Sequence, residues 1–480
     1  MGGQNYQNTR NNASQFNLGV GNAATLGLKW QFAASGDISA TAAVVGNNVY
    51  FPDWGGHVYK LNAGTGSVVW DHLLPTIGGR QTVARTSPAV SGKTLYIGDQ
   101  SGNVIAMSAA TGAELWRTKP NPGPFPVITA SPVVYNGVVY VGVASSEEAV
   151  AANPSYLCCS ARGSFQALDA ATGQVLWQTY MTPIGYSGAA IWGSTAALDS
   201  QSNTVYVTTG NNYSLPQSVI DCINNAGSNV AQQKLCLDPN NHVDSILALD
   251  MTTGVIKWAT QALDLDNWNV ACIFNGTNCP ANAGPDFDFG SGPNLFTIPG
   301  AKGKPQSVVG AGQKSGQYWT LDAATGAVIW KTQVGPGSSL GGIEWGSATD
   351  GQRIYVAIGN FFRLPYPGHP ELGQAGSFAA LDLATGAILW QVADPNAGVD
   401  LAAVSTSNGV VFAGSMSGKM LALNAATGGT LWSYQGAGSS NAGAAIDDNG
   451  TVYWGNGYGH LGPAVGTPGN TFYAFSAGGQ

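Results

Sequence analysis

Two carboxylates one residue apart, Asp286 and Asp288, stand in the stretch Gly284-Pro285-Asp286-Phe287-Asp288-Phe289-Gly290. A pair of this kind can supply one general base and leave the second carboxylate for a cation. Lys314 lies in Gly312-Gln313-Lys314-Ser315-Gly316, and the whole chain of 480 residues has only 18 Lys and Arg. A cation fixed at one point can stabilise negative charge that develops on a bound group. The oxygen donors that a hard metal ion takes come from Glu147-Glu148 and from Asn211 in Thr208-Thr209-Gly210-Asn211-Asn212. Arg85, in Ala84-Arg85-Thr86-Ser87-Pro88, can grip a carboxylate with two parallel hydrogen bonds, and Thr129 precedes Ala130-Ser131-Pro132 in the next unit. Trp192 and Trp345 sit in the matching phrases Ala190-Ile191-Trp192-Gly193 and Gly342-Ile343-Glu344-Trp345-Gly346, where an indole offers a flat stacking face. Cys158 and Cys159 are adjacent. A disulfide between neighbours closes a strained ring, and strain of that sort gathers at functional sites. The five histidines, at 57, 72, 242, 369 and 460, have no metal-binding spacing.

These residues interrupt a repeat that must position them. The phrase Leu168-Asp169-Ala170-Ala171-Thr172-Gly173…Trp177 returns as Leu61-Asn62…Gly66…Trp70, Met107-Ser108…Gly112…Trp116 and Leu249-Asp250…Gly254…Trp258. It returns again as Leu321-Asp322…Gly326…Trp330, Leu381-Asp382…Gly386…Trp390 and Leu423-Asn424…Gly428…Trp432. Each copy predicts a hairpin: an apolar strand, an Asx-capped turn with Gly at positive φ, and a strand ending in Trp. Upstream of most copies lie a Val-Tyr strand and a short strand of small residues. Four strands in about 40 residues predict a propeller blade. Seven blades are complete. Leu26-Gly27-Leu28-Lys29-Trp30 and Thr471-Phe472-Tyr473-Ala474-Phe475 are each half of an eighth, which joining the chain ends would close. The expectation is one all-β domain over 1–480, an eight-bladed propeller of four-stranded antiparallel blades. Repeat Trp spacings of 40, 46, 61, 81, 72, 60 and 42 place the extra length in the middle of the chain. Insertions in such folds gather on one face, often the binding face.

Composition excludes several classes. A net charge of −8 with 9 % charged residues argues against nucleic-acid binding, and no apolar run is long enough to span a bilayer. Apolar content of 44 % rules out disorder despite 67 glycines. No signal peptide, P-loop, nucleophile elbow or helix-opening Gly-x-Gly-x-x-Gly is visible. No Cys-x-x-Cys-His occurs, so no c-type haem is expected on this chain. The six cysteines read as three local pairs, Cys158/Cys159, Cys222/Cys236 and Cys272/Cys279, which implies an oxidising compartment, periplasmic or secreted.

The repeated Leu-Asp-x-x-Thr-Gly-x-x-x-Trp phrase and the Asn8-Thr9-Arg10 lead-in resemble the pyrroloquinoline quinone (PQQ) dehydrogenases over essentially the whole chain. Glu147-Glu148, Cys158-Cys159-Ser160-Ala161-Arg162-Gly163 and the 284–293 stretch are similar in particular to the polyvinyl alcohol dehydrogenases. The resemblance implies PQQ near the ring axis above Ca²⁺, with a lanthanide as the other candidate. It implies Glu147, with Glu148 as the alternative register, Asn211 and Asp286 as metal ligands. It makes Asp286 or Asp288 the base and Lys314 the cation that polarises the quinone. Arg85, Thr129, Trp192, Glu344, Trp345 and the Cys158–Cys159 disulfide become cofactor contacts. An alcohol, secondary or polymeric, is the implied substrate, and cytochrome c or another acceptor takes the electrons. The rival expectation is a non-catalytic scaffold propeller of the outer-membrane assembly type, which keeps the repeat but not this constellation.

Overall fold

The computed structural model describes residues 2–193, 195–300, 303–460, 462–463 and 465–479. Seven four-stranded antiparallel sheets, and an eighth with a short fifth strand, follow one another around a ring. Blade 1 comprises Ala43–Val45, Asn48–Pro52, His57–Asn62 and Val68–Leu73. The last blade takes Ala445–Ile446, Val452–Gly455 and Thr471–Ala477 from the end of the chain and Leu26–Ala33 from its beginning. Leu26 pairs with Ala477 and Ala33 with Thr471, so the two halves anticipated from sequence share one sheet and close the ring. Closure leaves no blade unpartnered on either face.

The apolar cores lie between blades. One cluster joins Val133, Tyr140 and Phe165 of blade 3 to Leu198, Val205 and Leu247 of blade 4. Inner strands are therefore buried on both faces, as in Ser377–Asp382, while outer strands such as Val328–Gln333 are largely exposed. That pattern follows from a sheet sandwiched between two others along most of its width.

The repeat phrase does more than make a hairpin. Asp169 Oδ1 accepts from the Ala171 and Thr172 amides and the Thr172 hydroxyl, which caps the turn as the Asx reading expects. The Trp, however, works between blades. Trp30, Trp70, Trp116, Trp177, Trp258 and Trp390 each donate their indole N–H to the carbonyl just after the Asx, or Ser108 in one copy, of the next blade's turn. The turn Gly then lies flat against that indole. Gly326 has φ +73°, and a Cβ there would come 2.6 Å from Trp258 Cε3. Gly92 has φ +58° with open space around it. Gly326→Ala should therefore lower the melting temperature beyond Gly92→Ala. Overpacking of about 1–3 kcal/mol would add to the φ cost they share. Equal shifts for the two variants would remove the rivet role from this glycine.

Strand direction alternates within a blade, so the connection between strands two and three and the connection to the next blade emerge at the end opposite the Thr-Gly turns. The long insertions use that end. Residues 146–163 join the second and third strands of blade 3, and 209–244 do the same in blade 4, carrying helices Gln217–Ala226 and Val230–Leu235. Residues 262–293 lead from blade 4 to blade 5, and 359–376 lie within blade 6. The structure pairs Cys158–Cys159, Cys222–Cys236 and Cys272–Cys279, all inside these insertions. Among the described residues no helix is long and apolar enough to cross a membrane.

Candidate active site

At the insertion end, near the ring axis, lies a cavity of about 230 Å³. Arg85, Thr129, Glu148, Trp192, Tyr213, Lys314, Glu344 and Trp345 contribute to its walls, with Leu340, Leu401 and Tyr458 closing one side. Residues up to 373 positions apart in sequence meet here because each blade presents one loop to the axis.

Lys314 is the electrostatic centre. Its backbone N–H donates to the Asp288 carbonyl, and its Nζ lies 3.0 Å from Asp286 Oδ1 and 3.4 Å from Asp288 Oδ2. The ammonium also sits 5.0 Å from the centre of the Trp192 ring. Burial opposes the charge, but Asp286, Asp288, Glu344 and Glu148 outweigh it and hold the Lys314 pKa well above its usual value. Asp288 accepts from the Asn211 backbone N–H at 2.7 Å and from the Trp192 indole N–H at 2.7 Å. Asp286 has φ +59°, a conformation that costs energy for a side chain with a Cβ. Asp266 stabilises it by accepting the Asp286 and Phe287 amides.

The site carries more acid than base. Burial, then the charge of Asp288, push Glu148 up to about 8, with Lys314 pulling the other way. Burial pushes Glu344 up to about 7 against the pull of Lys314. Asp286 is raised well above its usual range by burial, and Asp266 is raised to about 6 chiefly by burial. A multivalent cation would relieve this surplus. One donor is already turned out for it: the amide of Asn211 gives its N–H₂ to the Asn212 and Trp268 carbonyls and leaves Oδ1 buried without a partner. Among the described residues no three His, Cys, Asp or Glu side chains form a metal cage by themselves. A Ca²⁺ taking six to eight oxygens would need a cofactor or water to complete its shell.

The structure moves one expectation. Glu147 is buried, but its carboxylate is spent on the Tyr156 hydroxyl at 2.6 Å and on the Ser160 and Ala161 amides. It anchors the loop of the vicinal disulfide, and Glu148, the other register, is the one that lines the cavity. Asp286 likewise spends an oxygen on Lys314, while Asp288 links Lys314, Trp192 and the Asn211 backbone. The remaining candidates converge. Thr129 donates to the Trp192 carbonyl. Arg85 stacks 4.1 Å over the Trp345 ring and donates to the Tyr458 hydroxyl. Glu344 closes over Gly290, where a Cβ would come 2.6 Å from its Oε2. Cys159 and Trp192 both pack against the cluster of Ala144, Ala190 and Tyr213, and the Cys159 backbone is tied to the Ser214 hydroxyl. Sequence reasoning missed Tyr213, Tyr458, Asp244 and Asp266. Asp244 is buried with both carboxylate oxygens unpartnered. A lone Asp or Tyr in a loop carries no spacing signal.

Comparison with known proteins places the chain among its relatives. The family model described as outer membrane protein assembly factor BamB matches residues 18–156, 80–217 and 244–474, the repeat-bearing parts of the chain. A polyvinylalcohol dehydrogenase of Sphingopyxis sp. (strain 113P3) is 33 % identical over 521 residues, covering 96 % of this chain and 74 % of that protein. Among solved structures, the quinohemoprotein alcohol dehydrogenase from Comamonas testosteroni superposes with a TM-score of 0.74 at 22 % identity, over 100 % of this chain and 80 % of that one. A europium-containing methanol dehydrogenase gives 0.75 at 20 % identity, over 99 % and 97 %. The structural matches share the fold, and the 33 % identity spans 96 % of this chain. The chain belongs to the PQQ-dependent quinoprotein dehydrogenases, in the family of the polyvinyl alcohol dehydrogenases.

Proposed function

We propose that the cavity binds PQQ beside a metal ion and oxidises an alcohol, with secondary alcohols and polyvinyl alcohol as the substrate class. The observation that carries this reading is the buried, partnerless Asn211 Oδ1, on a residue whose backbone N–H donates to Asp288, next to a pocket with surplus carboxylate and one fixed ammonium. Glu148, Asn211 and one oxygen of Asp288 would hold the metal. Arg85 and Thr129 would meet the acidic edge of the cofactor, Trp192 would supply one flat wall, and the Cys158–Cys159 disulfide would supply the opposite one.

When bound, PQQ supplies the two-electron acceptor for the hydrogen on the alcohol carbon. The chain supplies the rest. Asp288 is placed to take the hydroxyl proton on a carboxylate oxygen, since Lys314 and the Trp192 indole fix its orientation. Asp286 steadies Lys314, whose ammonium is the fixed charge that stabilises negative charge in the pocket. Tyr213, Leu340 and Leu401 exclude water on the remaining sides. A ketone or aldehyde leaves, and a separate acceptor such as a cytochrome c takes the electrons. Three disulfides support a periplasmic or secreted location.

Reconstitution tests the reading. Protein supplied with PQQ and Ca²⁺ should oxidise secondary alcohols in a dye-linked assay, and protein lacking either should not. A panel with La³⁺ in place of Ca²⁺ decides the metal. Absence of PQQ binding under every metal would return the chain to the scaffold class.

A further inference from the structure

Beneath the Trp345 indole the axial channel holds a second cation that alcohol oxidation does not use. Arg10 ends the N-terminal lead-in. Its backbone is held by Gly3 and Thr406, with φ +51°, and the residue is only 5 % exposed. Among the described residues its guanidinium makes one hydrogen bond, from Nη2 to the Trp345 carbonyl at 3.4 Å. Nε and Nη1 are buried with no partner, and no ion pair to Arg10 exists among the described residues. A buried charge is normally paired, because leaving it alone forfeits hydration with nothing in return. Burial alone lowers its pKa to about 10, with no carboxylate acting in the other direction.

The space in front of the guanidinium is built for something small. It measures about 30 Å³, room for one or a few water-sized groups, and among the described residues no acidic side chain lines it. Arg85 enters it from the cofactor side, and Thr41, Ser87, Ser131 and Asn441 give it hydroxyl and amide groups. Glycine forms the walls nearest the cation. A Cβ on Gly346 would come 2.5 Å from Arg10 Nε, and one on Gly443 3.3 Å from Nη1. A buried guanidinium with two unpartnered nitrogens, polar donors and no carboxylate describe a site for a small anion, in a space far smaller than the 230 Å³ cavity beside it.

We propose that this cavity binds a small inorganic anion of halide size. The bound ion ties Arg10 to blades on several sides of the axis and so anchors the lead-in within the ring. The site stands apart from the cofactor reading, since Trp345 and Arg85 divide the two cavities and the test needs no turnover.

Crystals of the holoenzyme grown or soaked in sodium bromide should show an anomalous peak facing Arg10 Nε and Nη1. The melting temperature of the holoenzyme should rise and saturate with chloride or bromide. Sodium gluconate at equal ionic strength should give no saturating rise. Arg10→Gln should lose the halide-specific increment. Should that variant not fold, the bromide map of the unaltered protein decides alone. A water in place of the peak, equal effects of all three salts, or a peak that persists in Arg10→Gln would overturn the site.

Discussion

Asp288→Asn should lower kcat for a secondary alcohol by about 10²–10⁴-fold, the range that a positioned general base contributes. The change is isosteric, and an Asn oxygen can still accept from the Trp192 indole, so at saturating metal, which offsets the loss of one anionic donor, cofactor binding should survive. The variant loses a group able to take a proton, and it leaves the Asn211 amide or the Trp192 indole facing an N–H₂. Asp286→Asn should cost less. It turns the 3.0 Å anionic partner of Lys314 into a neutral acceptor but leaves Asp288 in place against the same ammonium. The two variants are read together, with kcat, bound PQQ and bound metal measured on each. If Asp286→Asn abolishes turnover while Asp288→Asn keeps it, the base is Asp286, and the hydrogen bonds of Asp288 are purely structural.

The ring was legible because its signal is written seven times. Leu-Asx, Thr-Gly and Trp at fixed spacing gave the blade count, and the half-phrases at Trp30 and Thr471 gave the closure that the Leu26–Ala477 register shows. The task of Trp and Gly between blades was not legible, because it depends on the distance from one copy to the next in space. At the site, Lys314, Asn211 and the Asp286-x-Asp288 pair could be found, since each breaks the repeat at a place where a family pattern lies. Glu147 against Glu148 could not be decided from sequence. Two adjacent residues at the start of a one-turn helix, Glu147–Val150, point in different directions, and only the partners of each reveal which way. Asp244 and Asp266 were invisible for a different reason. They are ordinary loop carboxylates until folding buries them beside Asp286 and Asp288.

Glu148→Gln and Glu147→Gln should separate into two phenotypes, and the split tests the assignment of the metal. At position 148 the amide keeps an oxygen but removes a formal charge from a site whose surplus of carboxylate is what favours a multivalent ion. Outer-shell changes alone cost about 10–100-fold in metal affinity, so loss of a direct anionic donor should cost at least that, seen as a higher Ca²⁺ concentration for half-maximal reconstitution. Stability without metal should hold or improve, because Glu148 is a buried carboxyl pushed up to about 8 by burial and by Asp288, and a neutral amide escapes that cost. At position 147 the consequences reverse. The Ser160 and Ala161 amides and the Tyr156 hydroxyl all donate to its carboxylate, so a Gln must turn an N–H₂ toward at least one donor. An unsatisfied buried donor costs about 1–3 kcal/mol, which should appear as a lower melting temperature and faster proteolysis of the 146–163 loop. Metal affinity should stay within a few-fold of the unaltered protein. If Glu147→Gln instead loses the metal and Glu148→Gln retains it, the loop anchor and the ligand exchange places, and the surplus charge at Glu148 must serve the cofactor or the substrate.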